Sequence, residues 1–392
     1  MVYAVIGCGY GDEGKGLVTD YLSSKPGKNL VIRHNGGAQS GHTVEIDDKR
    51  FVFHELSSGS FRHADTLWAD TFMPDLYKLQ QEVEEFVQIS GFTPNIYASK
   101  QSNITTIDDV LMNMLIEQGR GDNRHGSCGM GINEADLRIK AGFTLTFDDL
   151  HTISTQALFD RLKHIREHYH TPRLNQFNID YTSELYSMLF DDDVLYNYAA
   201  SILDNLKYVK IIDINDSFLL HYDNVIFESG QGLKLDAEYA PSLPHVTASR
   251  TGRTNIIHLI EQYHLALDEV FYVTRSYVTK HGAGPLTNEI INHSFVDKTN
   301  THNDWQGSIR FASWHDINDM LDVIEQDIAL KQTKNSLVIT HLNETNGHML
   351  FADNVIPVQQ FTQQKDIVDL FNDCYLSFTK FSKDIQKTIP QT

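Results

Sequence analysis

The feature that most constrains the fold is a glycine-rich loop near the amino terminus. The apolar run Val2–Gly7 predicts a buried strand, and the loop GYGDEGKG, residues 9–16, follows it directly. Leu17–Leu22 then has the pattern of the first turns of a helix. A strand, a glycine-rich loop and a helix in this order present backbone N–H groups and a helix N-terminus to an anion. The segment therefore predicts an α/β fold with a phosphate-binding loop.

The loop shares features with a nucleotide-binding P-loop but also departs from it. Gly9, Gly14 and Lys15 have the P-loop spacing, and the lysine supplies a positive charge for phosphate oxygens. An ordinary P-loop continues with Ser or Thr for magnesium, whereas Gly16 follows here. Asp12 is also unusual, because a carboxylate among phosphate-facing amides repels phosphate unless it holds a metal or takes up a proton. The loop predicts a P-loop-like nucleotide site, with a plain glycine-rich turn as the alternative.

A second glycine-rich loop, NGGAQSGHT at residues 35–43, follows the predicted strand Asn29–Arg33. His42 lies between small residues and has little to pack against. Taken alone, it is either a catalytic histidine or a surface histidine that caps the loop. In a parallel sheet, Asp12 and His42 would meet at the carboxyl edge, where ligands bind in open α/β folds.

Strand-like and helical segments alternate along the rest of the chain. Further strands are predicted at residues 51–54, 224–228, 270–274 and 336–340, and helices at 76–86, 158–170 and 191–206. This alternation favours an α/β sheet. Because no repeat or low-complexity linker divides the chain, we expect a single domain over residues 1–392.

Composition excludes several classes of partner. The chain has 32 Lys and Arg against 52 Asp and Glu, so its formal charge is −20 and it repels nucleic acid and anionic membranes. No apolar run approaches the ~20 residues of a membrane span. Cys8, Cys128 and Cys374 are odd in number and far apart, which fits a reducing cytoplasm better than a disulfide framework.

Six segments, in their order and approximate spacing, resemble the adenylosuccinate synthetase family. They are residues 11–16, 36–43, 54–59, 227–232, 244–247 and 282–289. The resemblance implies a large central, mostly parallel sheet with helices on both faces, in a homodimer. It also implies a ligase that joins L-aspartate to C6 of a purine nucleotide. The reaction would pass through a 6-phosphoryl intermediate, with a nucleoside triphosphate and Mg²⁺, and IMP would be the default acceptor.

The resemblance also implies roles for particular residues. Asp12 matches the general base and a magnesium ligand, Gly41 supplies a backbone carbonyl to the metal, and His42 stabilises charge on the transferring phosphoryl group. The positions expected to bind the triphosphate are Gly11, Glu13, Gly14, Lys15, Gly16, Gly41, Thr43, Arg310, His341 and Asn343. Those expected to bind the acceptor or aspartate are Gln39, Ser127, Arg138, Gln231, Thr247, Gly307 and Ser308. The arginine that the family lends across the dimer interface corresponds to Arg138 or Lys140.

The chain departs from the family pattern at several positions, so the sequence does not decide which triphosphate and which acceptor it uses. The family recognises guanine through a Thr-Lys-x-Asp element, where this chain has Thr340-His341-Leu342-Asn343. An amide at Asn343 suits adenine better than guanine, so GTP and ATP are both candidates. Ser308 replaces an arginine that contacts ribose and aspartate, so a deoxyribose acceptor is also compatible. In the paired threonines of the phosphate site, Ser127 keeps one hydroxyl and Cys128 loses the other.

Two alternatives to the default follow. One is a phage-type 2-aminoadenylosuccinate synthetase that uses dGMP with ATP or dATP, in the cytoplasm of the host if the chain is phage-encoded. The presence of Asp12 speaks against it, since the phage enzymes generally have serine there. The other is a purine-nucleotide sensor that binds without ligating. Asp12 together with His42 speaks against the sensor, because pure binding needs neither a base nor an acid.

Overall fold

The computed structural model describes residues 1–296 and 301–388. A ten-stranded sheet forms its centre. In chain order the strands are β1 Val2–Gly7, β2 Asn29–Arg33, β3 Asp65–Trp68, β4 Ile96–Ser99, β5 Val209–Ile212, β6 Asn224–Gly232, β7 Glu269–Arg275, β8 Lys334–Thr340, β9 Asp373–Leu376 and β10 Gln386–Thr388. Their spatial order is β10-β9-β8-β7-β1-β6-β2-β3-β4-β5. All neighbouring pairs are parallel except β9 and β10.

Helices surround this sheet. They are Lys15–Ser23, Leu76–Ser90, Ile107–Arg120, Ile132–Lys140, Phe147–Leu150, Thr155–Ile165, Thr171–Leu174, Glu184–Leu189, Asp192–Asn205, Asp216–Leu219, Arg253–Gln262, Ile317–Ile328, Val358–Phe361 and Lys365–Leu370. Small two-stranded units complete the fold: His42–Ile46 with Lys49–Phe53, Val278–Lys280 with Arg310–Ala312, His302–Asn303 with Gly307–Ser308, His348–Leu350 with Val355–Pro357, and Gly36–Gly37 with Phe72–Met73.

Both faces of the sheet are covered, which is why its inner strands are continuous apolar runs. Successive residues of β1 point to opposite faces. Val5 packs with Val18 of the first helix on one face, and Ile6 belongs to the core that Ile256 and Ile324 cover on the other. The predicted large, mostly parallel sheet with helices on both faces is therefore confirmed.

Some predicted elements differ from the structure. The strand predicted at residues 51–54 lies in Lys49–Phe53, and it pairs with His42–Ile46 in a hairpin outside the central sheet. The helix predicted at residues 158–170 begins at Thr155, and its last part, Arg166–His170, is π-helical. Among the described residues, no helix is both long and apolar enough to cross a membrane.

Candidate active site

Parallel strands place the glycine-rich loops together. The loops after β1, β2, β6, β7 and β8 all leave the carboxyl edge of the sheet, where the residues singled out from the sequence are concentrated. Two cavities open at this edge. They meet near Asp12, since Asp12 faces the first cavity and His281, 3.5 Å away, faces the second.

The loop between β1 and the first helix is closed by its own carboxylate. Oε1 of Glu13 accepts hydrogen bonds from the amides of Gly9 (3.0 Å) and Gly11 (2.7 Å), and Oε2 lies 2.6 Å from Nζ of Lys15. Gly7 must be glycine here, because a Cβ would overlap the Glu13 carboxylate. This part of the loop therefore binds a side chain where a P-loop would bind phosphate, whereas Gly14, Lys15 and Gly16 still face the first cavity.

Asp12 has a constrained backbone. Its φ is 60°, in the left-handed region that aspartate tolerates at a cost of about 1 kcal/mol. The side chain of Arg275 donates to the Asp12 carbonyl, and the hydroxyl of Thr340 donates to the Glu13 carbonyl at 2.7 Å. These two hydrogen bonds fix the loop to the last residues of β7 and β8. The Asp12 carboxylate is 15% exposed and lines the first cavity.

His42 is held by a buried ion cluster. Its Nδ1 lies 2.8 Å from Oε1 of Glu228, while Oε2 of Glu228 accepts from the Ser58 amide at 3.2 Å and lies 3.7 Å from Arg33. Burial raises the pKa of the Glu228 carboxyl, but the opposing interactions with His42, Arg33 and Ser58 lower it to about 2. Burial lowers the pKa of His42. With Nδ1 bonded to the carboxylate, Nε2 is buried without a hydrogen-bond partner, on a side chain that lines the first cavity.

The first cavity has a volume of about 640 Å³ and suits a nucleoside triphosphate in size. The predicted catalytic residues Asp12 and His42 line it. So do eight of the ten residues predicted to bind the triphosphate: Glu13, Gly14, Lys15, Gly16, Gly41, Thr43, His341 and Asn343. His341 follows Thr340 at the end of β8 with a φ of 57°. Nδ2 of Asn343 lies 3.4 Å from the Glu344 carboxylate.

The second cavity is narrower, about 150 Å³, and contains four of the predicted acceptor-binding residues. These are Gln39, Ser127, Gln231 and Thr247. Gln39 folds back onto its own loop, where Oε1 accepts from the Gly37 amide at 2.6 Å, and Nε2 is buried without a partner. Cys128, which replaces the second threonine of the family pattern, also lines this cavity.

Several predicted residues lie outside both cavities. Arg138 is fully buried, and its guanidinium donates to the Asp109 carboxylate and to the carbonyls of Phe143 and Ile104. The interpretation of Arg138 as an arginine shared across a dimer interface therefore has no support in this placement. Lys140, the other candidate, is exposed and pairs with Asp136.

Four other predicted residues, Arg310, Gly307, Ser308 and Gly11, line neither cavity, and their roles stay predictions. The Arg310 guanidinium pairs with Glu289 at 2.6 Å and donates to the Gly284 carbonyl at 2.8 Å. Gly307 and Ser308 form a short hairpin with residues 302–303 and line neither cavity. Gly11 contributes only its amide, to Glu13.

The sequence reasoning missed several residues of the second cavity. His125, His245, Lys280 and His281 all line it. Burial and the nearby charge of Arg310 lower the pKa of Lys280 to about 8. Glu228, the partner of His42, was also missed as a site residue, although a carboxylate at the end of the apolar run Val-Ile-Phe is a signal, because a buried charge needs a partner.

Residues 4–323 match the family model described as adenylosuccinate synthetase. The chain belongs to the adenylosuccinate synthetase family. Adenylosuccinate synthetases are carbon–nitrogen ligases, and this chain is an enzyme of that type.

Curated adenylosuccinate synthetases are similar to the chain over most of its length. The protein named adenylosuccinate synthetase 1 of Pseudoalteromonas translucida is 28% identical over 334 residues, which are 80% of this chain and 71% of the relative. The adenylosuccinate synthetase of Picrophilus torridus is 26% identical over 396 residues, 95% of this chain and 88% of the relative.

Solved structures show the same fold at lower identity. Fully ligated adenylosuccinate synthetase from Plasmodium falciparum superposes with a TM-score of 0.72 at 17% identity, covering 98% of this chain and 99% of that one. Succinoaminodeoxyadenylate synthetase of cyanophage S-2L, bound to dGMP and dATP, gives 0.61 at 14% identity, covering 99% and 95%. The adenylosuccinate synthetase fold thus extends over nearly the whole chain.

Proposed function

We propose that this enzyme joins L-aspartate to C6 of a 6-oxopurine nucleoside monophosphate, with IMP as the default acceptor. The observation that carries the proposal is the junction of the two cavities at Asp12. A triphosphate in the larger cavity and a purine in the smaller one would present the γ-phosphate and O6 to each other there. Transfer of the phosphoryl group to O6 converts a poor leaving group into phosphate, which the aspartate amine then displaces.

Asp12 is the proposed general base. Proton removal from N1 of the purine makes O6 a better nucleophile towards the γ-phosphate. Hydrogen bonds from Arg275 and Thr340 to the loop backbone hold the Asp12 carboxylate where the two cavities meet. N1 of the purine has to lie there if O6 faces the triphosphate. Asp12→Asn should slow turnover by at least ~10²–10⁴ and leave monophosphate binding largely intact, as measured by steady-state kinetics and equilibrium binding. Substantial activity in this variant would refute the role.

His42 is the proposed stabiliser of the phosphoryl group. Glu228 accepts from Nδ1–H and fixes the ring. Nε2 donates to a phosphate oxygen in the first cavity only as the imidazolium, whose charge the Glu228 carboxylate would stabilise when the triphosphate is bound. The donors Gly14, Lys15 and Gly16 would contact the other phosphate oxygens.

Magnesium fits the residues that line the first cavity. Mg²⁺ keeps several waters and binds through one or two protein oxygens together with substrate phosphates. The Asp12 carboxylate and the Gly41 carbonyl are the proposed protein ligands, and both residues line the cavity. Among the described residues, no group of three or more His, Cys, Asp or Glu side chains is arranged to hold a metal ion. When bound, the ion would neutralise charge on the triphosphate oxygens.

A second candidate acceptor is dGMP, as in the phage-type enzymes. Neither Gly307 nor Ser308 lines the acceptor cavity, so these residues supply no contact to a 2′-hydroxyl there. We therefore expect ribonucleotides to be preferred over deoxyribonucleotides by at most about tenfold. Comparison of kcat/KM for IMP, dIMP, GMP and dGMP with aspartate and ATP or GTP tests this. A preference for IMP over dIMP beyond about a hundredfold would contradict it.

The same assay separates the ligase from a nucleotide sensor. A sensor would bind triphosphate and monophosphate without forming a succinylated product. The convergence of Asp12 and His42 at one cavity favours the ligase. Product formation that depends on all three substrates would exclude the sensor.

The proposal also covers the oligomeric state and the cellular location of the protein. We propose a single-domain homodimer in the cytoplasm, or in the host cytoplasm if the chain is phage-encoded, with no nucleic-acid or membrane partner. The family supports the dimer, and the charge of −20 supports the absence of polyanionic partners. Cys8, Cys128 and Cys374 are free thiols in the structure, as a reducing compartment requires. Analytical ultracentrifugation with and without nucleotides would test the dimer.

A further inference from the structure

His281 has a polar side chain that its surroundings do not satisfy. It follows the strand Val278–Lys280 and lines the acceptor cavity. Its ring is nine-tenths buried, with 10% exposure, yet neither Nδ1 nor Nε2 has a hydrogen-bond partner among the described residues. A buried polar group without a partner costs stability, so such groups in native proteins call for an explanation. A ligand that hydrogen-bonds to the ring would supply one.

Three other polar side chains of this cavity are held by protein partners. Oδ1 of Asn113 accepts from the Ser127 hydroxyl at 2.7 Å, and the amide of Gln306 donates to the Gly126 carbonyl at 2.6 Å. Nδ1 of His245 lies 2.9 Å from the His125 carbonyl. His281 differs from these three groups because neither of its ring nitrogens has a hydrogen-bond partner among the described residues.

The position of His281 determines which edge of the purine it meets. Its Nε2 lies 3.5 Å from Oδ2 of Asp12, on the acceptor side of that carboxylate. In the proposed reaction Asp12 contacts N1–H, and O6 points towards the triphosphate cavity. C6 and C2 flank N1 in the purine ring, so the edge directed away from the triphosphate, next to His281, carries C2.

We propose that His281 recognises the C2 edge of the acceptor and allows the cavity to bind 6-oxopurine nucleotides with a 2-amino group. A neutral imidazole has one acceptor nitrogen, and the 2-amino group of guanine has two N–H donors. Because Nε2 faces the Asp12 carboxylate, Nδ1 is the acceptor, and one donor would bond to it while the other bonds to the second oxygen of Asp12. Hypoxanthine has only a C–H at this position. The inference rests on the proposed function, because that function places N1 at Asp12.

Equilibrium binding of GMP and IMP to the full-length protein tests the inference without catalysis. The variants are His281→Phe, which keeps a ring but removes both nitrogens, and His281→Asn, which retains an acceptor oxygen. We expect His281→Phe to lower the affinity for GMP relative to IMP by about tenfold or more, and His281→Asn to recover part of that loss. His245→Phe is the matched control, and it should change both affinities by the same factor.

The possible outcomes test the role of His281 separately from the proposed ligase function. An unchanged GMP-to-IMP ratio in both His281 variants would overturn it. Thermal unfolding checks that each variant is folded, and His281→Leu, which also lacks an acceptor, replaces His281→Phe in the comparison if His281→Phe is not. Turnover is measured in parallel with aspartate and ATP or GTP. If no acceptor yields product, the ligase proposal fails, whereas the binding ratio still shows whether His281 recognises the 2-amino group.

Discussion

Two buried histidine–carboxylate pairs in this protein have similar contacts and different surroundings. At the active site, Nδ1 of His42 lies 2.8 Å from Glu228, and the histidine faces the triphosphate cavity. In the helical layer, Nε2 of His170 lies 3.1 Å from Asp109, and Nδ1 faces Asp108 at 3.7 Å. His170 is thus placed between two carboxylates, whereas the second nitrogen of His42 is available to a ligand. Burial and ion pairing alone do not identify a catalytic histidine.

Each pair also includes an arginine. Arg33 lies 3.7 Å from Glu228, and Arg138 lies 3.0 Å from Asp109. Burial raises the pKa of Asp109, but its pairing with Arg138 and His170 outweighs this and holds the pKa below its usual range. Both clusters therefore keep an ionised carboxylate in the interior. The comparison suggests that one cluster serves turnover and the other serves stability.

Substitution of the two histidines gives the largest expected contrast. His42→Asn should reduce kcat by ~10²–10⁴ with a smaller change in substrate affinity, because it removes the donor for the phosphoryl group. His170→Asn should leave kcat within about threefold and lower the free energy of unfolding by ~1–3 kcal/mol, because it leaves Asp109 short of a partner. Steady-state kinetics and denaturant unfolding of both variants measure the two effects. If both variants lost the same factor in kcat, the assignment of His42 to catalysis and of His170 to stability would be wrong.

Arg138 provides the complementary stability test. Arg138→Met leaves the buried Asp109 carboxylate without its main partner, so the free energy of unfolding should fall by about 3–5 kcal/mol. The Arg138→Met/Asp109→Asn double variant should recover part of the loss. Any folded fraction should keep the wild-type KM for the acceptor. A raised KM for the acceptor with an unchanged free energy of unfolding would contradict this prediction and would indicate that Arg138 binds substrate.

The pH dependence of the same variant follows from Asp109. A carboxyl group with a lowered folded-state pKa contributes stability above its unfolded pKa, about 3.9, and this contribution is lost as the pH falls. Arg138→Met removes most of that contribution. The difference in unfolding free energy between wild type and variant should therefore shrink as the pH is lowered below about 4.

The smallest expected effect concerns the choice of triphosphate. Asn343 lines the first cavity, and its amide can donate to adenine. We expect the wild type to use ATP at least as well as GTP, and Asn343→Asp to shift the kcat/KM ratio towards GTP by about tenfold to a hundredfold. A wild type that strongly prefers GTP would show that another residue recognises the base.

Sequence motifs predicted the loops at the sheet edge well. The loops that contain Asp12 and lead to His42 each follow a strand, and Gln231 lies near the carboxyl end of β6. The parallel sheet brings such positions together whatever lies between them in sequence. The central sheet was predictable for the same reason, because buried parallel strands are short apolar runs that end in glycine or a turn.

Side-chain pairing was not predictable in this way. Nothing in the sequence around Arg310 or Arg138 indicates that they form ion pairs with Glu289 and Asp109. Those partners lie 21 and 29 residues away in the chain. His281 follows a strand but belongs to no motif with a known spacing, so only its position beside Asp12 marks it. Contacts between distant residues decide which charged groups remain available to substrate.

In the proposed reaction, O6 of the purine attacks the γ-phosphate, and the aspartate amine then displaces the resulting phosphate from C6. Turnover of an acceptor labelled with ¹⁸O at the 6-oxo position, with aspartate and triphosphate, follows the fate of O6. We expect the label in inorganic phosphate, one labelled oxygen for each succinylated product formed. Unlabelled phosphate, with the ¹⁸O released into water, would contradict it.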